Sequence, residues 1–158
     1  MNLDGAQLAV LRTAIDAETD TEFVSYRNEG STGLMAQWYN VAGTFIVWKT
    51  FLSGEEVKSE TVWTELIGRS QGERDVYAIL ISGDQVNPSL ENIRQAFQDI
   101  FSGPQGATTR AQLIAASKRL ATRGETIFSV GTGTDATPGL LVVEGDVSNQ
   151  NIIDALAL

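Results

Sequence analysis

Leu90, Ile93, Phe97, Ile100 and Phe101 recur at three- and four-residue spacing, which places them on one face of a helix over about residues 87–101. That face has to be buried. Asn87-Pro88 gives the helix a start, because Asn caps and Pro at the first helical position gives up only an amide that lacks a partner anyway. Upstream, Leu8, Leu11 and Ile15 mark a helix over about residues 4–16 capped by Asp4, and Leu34, Met35 and Trp38 a shorter one opened by Ser31. Ser53 with Glu56 has the capping-box spacing, and Leu52 with Val57 the matching hydrophobic staple. Val62, Trp63, Leu66 and Ile67 form the next face, begun or renewed at Ser59 and ended by Gly68 in the left-handed C′ position. Val76, Tyr77, Ile79 and Leu80 form another, stopped by Gly83.

Beyond the Ser102–Gly106 break, Thr109 with Gln112 and Thr122 with Glu125 repeat the capping-box spacing. They predict a basic helical segment that bends or restarts near Ala121. Ser148 caps a last helix carrying Ile152, Ile153 and Leu156, with Val147 as its staple. Two short aromatic or β-branched runs, Phe45–Trp48 and Leu140–Val143, are the strand candidates, and residues 131–139 read as an exposed loop between elements. The expectation is a mainly α, helical bundle-like single domain over 1–158 with a minor β element at 45–48 and 140–143. An isolated strand pair is marginal in water, so the two either pair with each other over the helices or one adds to a neighbouring subunit. The second option makes residues 131–158 a C-terminal arm.

Composition narrows the chemistry. A chain of 158 residues can bury a core without staples, and this one holds neither cysteine nor histidine. Thiolate catalysis, disulfides, the commonest general base and the commonest transition-metal ligand are therefore missing. No stretch reaches the roughly 20 apolar residues that span a bilayer, and the start MNLDGAQLAV lacks a basic leader, so a soluble, unprocessed chain without membrane partner is expected. The formal charge of −9 works against general affinity for nucleic acid. It is unevenly spread: Asp4, Asp16, Glu18, Asp20, Glu22 and Glu29 crowd the first thirty residues, whereas Arg110, Lys118, Arg119 and Arg123 share a segment without acids.

Candidate sites are each better read as structure. Asp16, Glu18 and Asp20 resemble the start of a calcium loop, but Thr21 and Arg27 stand where Gly and a bidentate Glu belong. Glu55-Glu56 falls where capping and the helix dipole favour acids. Gly131-Thr132-Gly133-Thr134 lacks the lysine of a phosphate loop. The three tryptophans, Trp38, Trp48 and Trp63, sit among apolar neighbours as packing residues. No catalytic, cofactor-binding or metal site is expected.

Several pieces taken in order, Phe45–Thr50, Val86-Asn87-Pro88-Ser89, Phe97–Gly103, Lys118–Glu125, Gly131–Thr134 and Glu144-Gly145, resemble a family of small virion-associated proteins of tailed bacteriophages. The similarity covers about residues 1–150 and is densest from Asn87 onward. Leu120, where Pro is common, and Gly124, where Ala is common, depart from the family pattern. The resemblance implies a virion part, assembled in the host cytoplasm and ending in the neck or tail region. A helical protein of this size most resembles a head-to-tail adaptor, a homo-oligomeric ring beneath the portal protein, with packaged DNA passing through unbound. Arg110, Lys118, Arg119, Arg123, Leu140, Leu141, Val142 and Val143 are the expected contacts to neighbouring subunits or the portal. A tail terminator or other neck protein is the alternative within the virion, and a DNA-binding accessory protein using the four basic residues is the alternative outside it.

Overall fold

A computed structural model describes residues 1–158. In chain order the elements are α1 (Gly5–Ala17), α2 (Thr21–Asn28), α3 (Thr32–Tyr39), β1 (Ala42–Trp48), β2 (Leu52–Ser53), α4 (Gly54–Ser59), α5 (Trp63–Ile67) and α6 (Gln71–Ser82). Then follow β3 (Gln85–Val86), α7 (Glu91–Ile100), a 3-10 turn at Pro104–Gly106, α8 (Ala107–Ala116), β4 (Lys118–Thr122), α9 (Arg123–Ile127), β5 (Ser129–Val130), β6 (Leu140–Leu141) and α10 (Asn149–Leu156). The protein is mainly α with a minor β element. Its strands form three two-stranded sheets, β1–β4, β2–β3 and β5–β6.

The single domain expected over 1–158 is laid out as two compact units: residues 1–47 with 120–158, and residues 48–119. Each has its own core. In the first unit Leu11 and Ile15 of α1, Phe23 of α2, Met35 and Tyr39 of α3, and Ile152 of α10 are buried together. Asp4 caps α1 and Ser148 caps α10 with complete capping boxes, so both helices enter this core with their first amides satisfied. In the second unit Leu52, Val57, Tyr77, Phe97, Phe101 and Leu113 form the core. There the hydroxyls of Thr61 and Tyr77 meet at 2.8 Å, and the Thr61 hydroxyl donates to the Val57 carbonyl at 2.7 Å. The pair keeps buried oxygens satisfied within an apolar setting.

Several sequence expectations are corrected. Residues 118–122 are strand β4, not helix, because they pair with β1, some 70 residues away in the chain. Asn87 does not cap α7: its side chain accepts from the Ser89 amide at 3.0 Å and closes a turn, and α7 starts at Glu91. Leu90 consequently stands half exposed, while Phe97, Ile100 and Phe101 are buried as the spacing requires. Gly68 has an ordinary right-handed backbone, with φ of −71°. Thr109 lies at the third position of α8, whose own N-cap, Gly106, offers no side chain. The two strand candidates do not form a sheet together; β6 covers only Leu140–Leu141 and pairs antiparallel with β5, Ser129 opposite Leu141 and Val130 opposite Leu140. A single parallel bridge joins Val47 to Gly139 beside it.

Candidate functional site

The first unit holds a pocket of about 570 Å³, within the range of small-ligand sites. It forms where the end of α3 and the start of β1 meet α9 and the 131–139 loop. Trp38, Tyr39 and Phe45 supply aromatic wall; Glu18, Thr44 and Arg123 supply polar groups. The Arg123 guanidinium lies 3.9 Å above the centre of the Trp38 ring, close enough for a strong cation–π contact. Trp38 in turn packs against Phe23 at 4.8 Å and edge-on to Tyr39 at 5.2 Å between ring centres, so the surface on which Arg123 rests is fixed.

The far wall is fixed by glycines. A Cβ on Gly133 would stand 2.2 Å from the Phe45 ring, and one on Gly139 would stand 2.4 Å from it. The loop that looks like an exposed Gly-Thr tract therefore contains two buried glycines clasping Phe45. Its threonines tie it down: the Thr132 hydroxyl donates to the Thr137 carbonyl at 2.9 Å, and the Thr137 amide donates to the Thr134 hydroxyl at 3.1 Å. The Tyr39 hydroxyl is enclosed and has no hydrogen-bond partner. Burial, reinforced by the Glu18 carboxylate, pushes its pKa up, so it stays a neutral donor.

The four clustered basic residues belong to both units. Arg110 belongs to the second unit, where it donates to the carbonyls of Phe101 and Gly103 and holds the turn between α7 and α8. Lys118 and Arg119 open β4, with the Lys118 ammonium 5.7 Å above the Trp48 ring and Arg94 on that ring at 4.5 Å. Arg123 is in the first unit. The strand residues also separate by direction: Val142 is 66% exposed, whereas Val143 packs against the first core. No protein-family model, curated protein or solved structure matches this chain.

The acids of the N-terminal third are occupied in local structure. Asp16 pairs with Arg12 at 2.7 Å, Glu18 accepts from the amides of Thr19 and Asp20, and Asp20 caps α2. Glu56 completes the capping box of α4, while Glu55 pairs with Lys58 at 2.7 Å. Serine donors and amides hold the Glu56 carboxyl below its ordinary pKa.

One feature of the second unit is invisible in the periodicity. On α5, Trp63 and Ile67 are 53% and 70% exposed, and on α6 Val76 and Ile79 are 48% and 73% exposed. These residues belong to the apolar faces read from the sequence, yet Leu66 and Tyr77 alone take the buried positions on those two helices. Between α6 and α7 an open groove of about 440 Å³ runs past Val76, Ala96 and Ile100. Spacing shows that a helix has an apolar side; it does not show whether the same chain covers that side.

Proposed function

We propose that this protein is a structural subunit of a tailed-phage particle, a head-to-tail adaptor that forms a closed ring beneath the portal. The observation that carries the reading is the uncovered apolar side of α5 and α6. Large apolar side chains left in water are characteristic of surfaces that another protein covers. A ring needs one surface of a subunit to meet a different surface of the next, and the uncovered helices supply one of the two. The mainly helical build supports an adaptor over a tail terminator, whose subunits would be rich in sheet. The net charge of −9 suits a channel through which DNA slides without sticking. Lys118 and Arg123 rest on tryptophan rings, which weighs against a basic patch dedicated to DNA.

The test is assembly of the wild-type chain and of Ile67→Glu and Ile79→Glu, followed by light scattering with and without purified portal protein. Both residues are exposed, so the variants retain their helical circular dichroism. Rings or portal complexes that form with the wild type and are lost in the variants support the proposal. A wild-type chain that stays monomeric with and without portal, and is missing from mature particles, overturns it.

A further inference from the structure

The pocket of the first unit plays no part in the proposed assembly. Arg123 carries a permanent positive charge and a planar fork of donors, yet its guanidinium lies on the Trp38 ring and forms no ion pair within the chain. Arg123, partly exposed as a residue and without a counter-ion within the chain, stands in the wall of this 570 Å³ pocket. The same pocket has a rigid aromatic lining, with Phe45 clasped between Gly133 and Gly139 and Trp38 held by Phe23 and Tyr39.

We propose that this pocket binds a small aromatic oxyanion, a carboxylate or phosphate on a ring, with the charge on the free edge of Arg123 and the ring against Trp38 and Phe45. The volume accommodates one ring and a short substituent, and walls already packed in place reduce what binding has to order. Arginine's fork matches the two oxygens of a carboxylate or phosphate, which a neutral amide cannot reproduce. Glu18 lines the same pocket and repels an anion, so it tunes the site in the opposite sense.

The experiment is an amide and side-chain NMR titration of the full chain with benzoate, phenyl phosphate and the neutral isostere benzamide. The expected result is a saturable shift of Trp38, Phe45 and Arg123 signals with benzoate or phenyl phosphate, and about ten-fold weaker binding of benzamide. Whichever anion binds more tightly identifies the oxyanion. Arg123→Gln should weaken that binding by about ten-fold or more, while Glu18→Gln should strengthen it. The proposal is overturned if neither anion gives a saturable shift, if benzamide binds as well, or if the shifts map elsewhere. The comparison of benzoate with benzamide uses the wild-type chain alone, so it decides the matter even if Arg123→Gln fails to fold. The isolated chain suffices throughout, and the outcome is independent of whether rings form.

Discussion

Asn40 and Val147, 107 residues apart, exchange two hydrogen bonds: the Asn40 amide nitrogen donates to the Val147 carbonyl at 3.0 Å, and the Val147 amide donates to the Asn40 oxygen at 2.8 Å. A side-chain amide here plays the part of a strand partner. It fixes the end of α3 to the residue that precedes the α10 cap, so the two helices enter the first core in a set relation. Asn40→Ala leaves both backbone groups without their partner and should destabilise this unit by about 2 kcal/mol. Asn40→Asp keeps the acceptor but loses the donor, and should also destabilise it. Urea denaturation followed by circular dichroism measures both.

Val147 is also why residue 124 is glycine. A Cβ at Gly124 would lie 2.5 Å from a Val147 methyl and 3.4 Å from the Tyr39 carbonyl oxygen. Gly124→Ala should therefore cost about 1–3 kcal/mol, the usual penalty for overfilling a packed site. Combining it with Val147→Ala removes the colliding methyl. The double variant should be more stable than the sum of the two single effects allows, which a double-mutant cycle reads directly.

What could be read from the chain, and what could not, follows the range of each interaction. The capping boxes Ser53 with Glu56 and Thr122 with Glu125 are legible because donor and acceptor are three residues apart. The buried set Leu11, Ile15, Phe97 and Phe101 is legible because helical spacing imposes it. Lys118–Thr122 has no such local signal: its strand character depends on β1, and its composition alone fits a helix. Gly133 and Gly139 look like loop residues because their partner, Phe45, lies far back in the sequence. Of the pocket residues, Arg123 and Trp38 stand out in the sequence, the first as one of four clustered basic residues and the second as a packing residue. That the two lie on one another is a tertiary fact. Only the absence of an acid within residues 108–123 hints that Arg123 lacks an ion-pair partner nearby.

Trp48 shows what a tryptophan in the second unit is for. Arg94 stacks on it at 4.5 Å while also donating to the carbonyls of Pro88 and Ser89, both at 2.7 Å. One guanidinium thus ties the turn before α7 to an aromatic face. Lysine could keep the charge but not the fork, so Arg94→Lys should destabilise this unit by about 1–2 kcal/mol. The tryptophan emission should shift with it, since the planar guanidinium no longer stacks on the Trp48 ring. A variant as stable as the wild type would show that the turn holds without this clamp.

Glu65 gives the second unit a dependence on acid. Helix α8 has no side-chain cap of its own, and Glu65 of α5 supplies one from outside: its carboxylate accepts the Thr108 amide at 3.3 Å and the Thr109 amide at 2.8 Å. Thr109 returns the contact by accepting the Val62 amide at 3.0 Å, so the start of α5 and the start of α8 cap each other. The bond from the Thr109 amide is the largest cause that holds the Glu65 carboxyl below its ordinary pKa. A carboxylate depressed on folding adds stability above its unfolded pKa and loses it as pH falls through the lower, folded value. The contribution is therefore full at neutral pH and fades in the acid range below the ordinary glutamate value. Glu56 and Glu73, depressed by their own serine caps, fade in the same range. Glu65→Gln removes the titrating group, so the stability gap between wild type and variant should be widest near pH 7 and narrow as pH falls below the ordinary glutamate value. Denaturant midpoints measured across that range give the answer. A gap that stays constant with pH would mean that the α8 amides do not depend on the Glu65 charge.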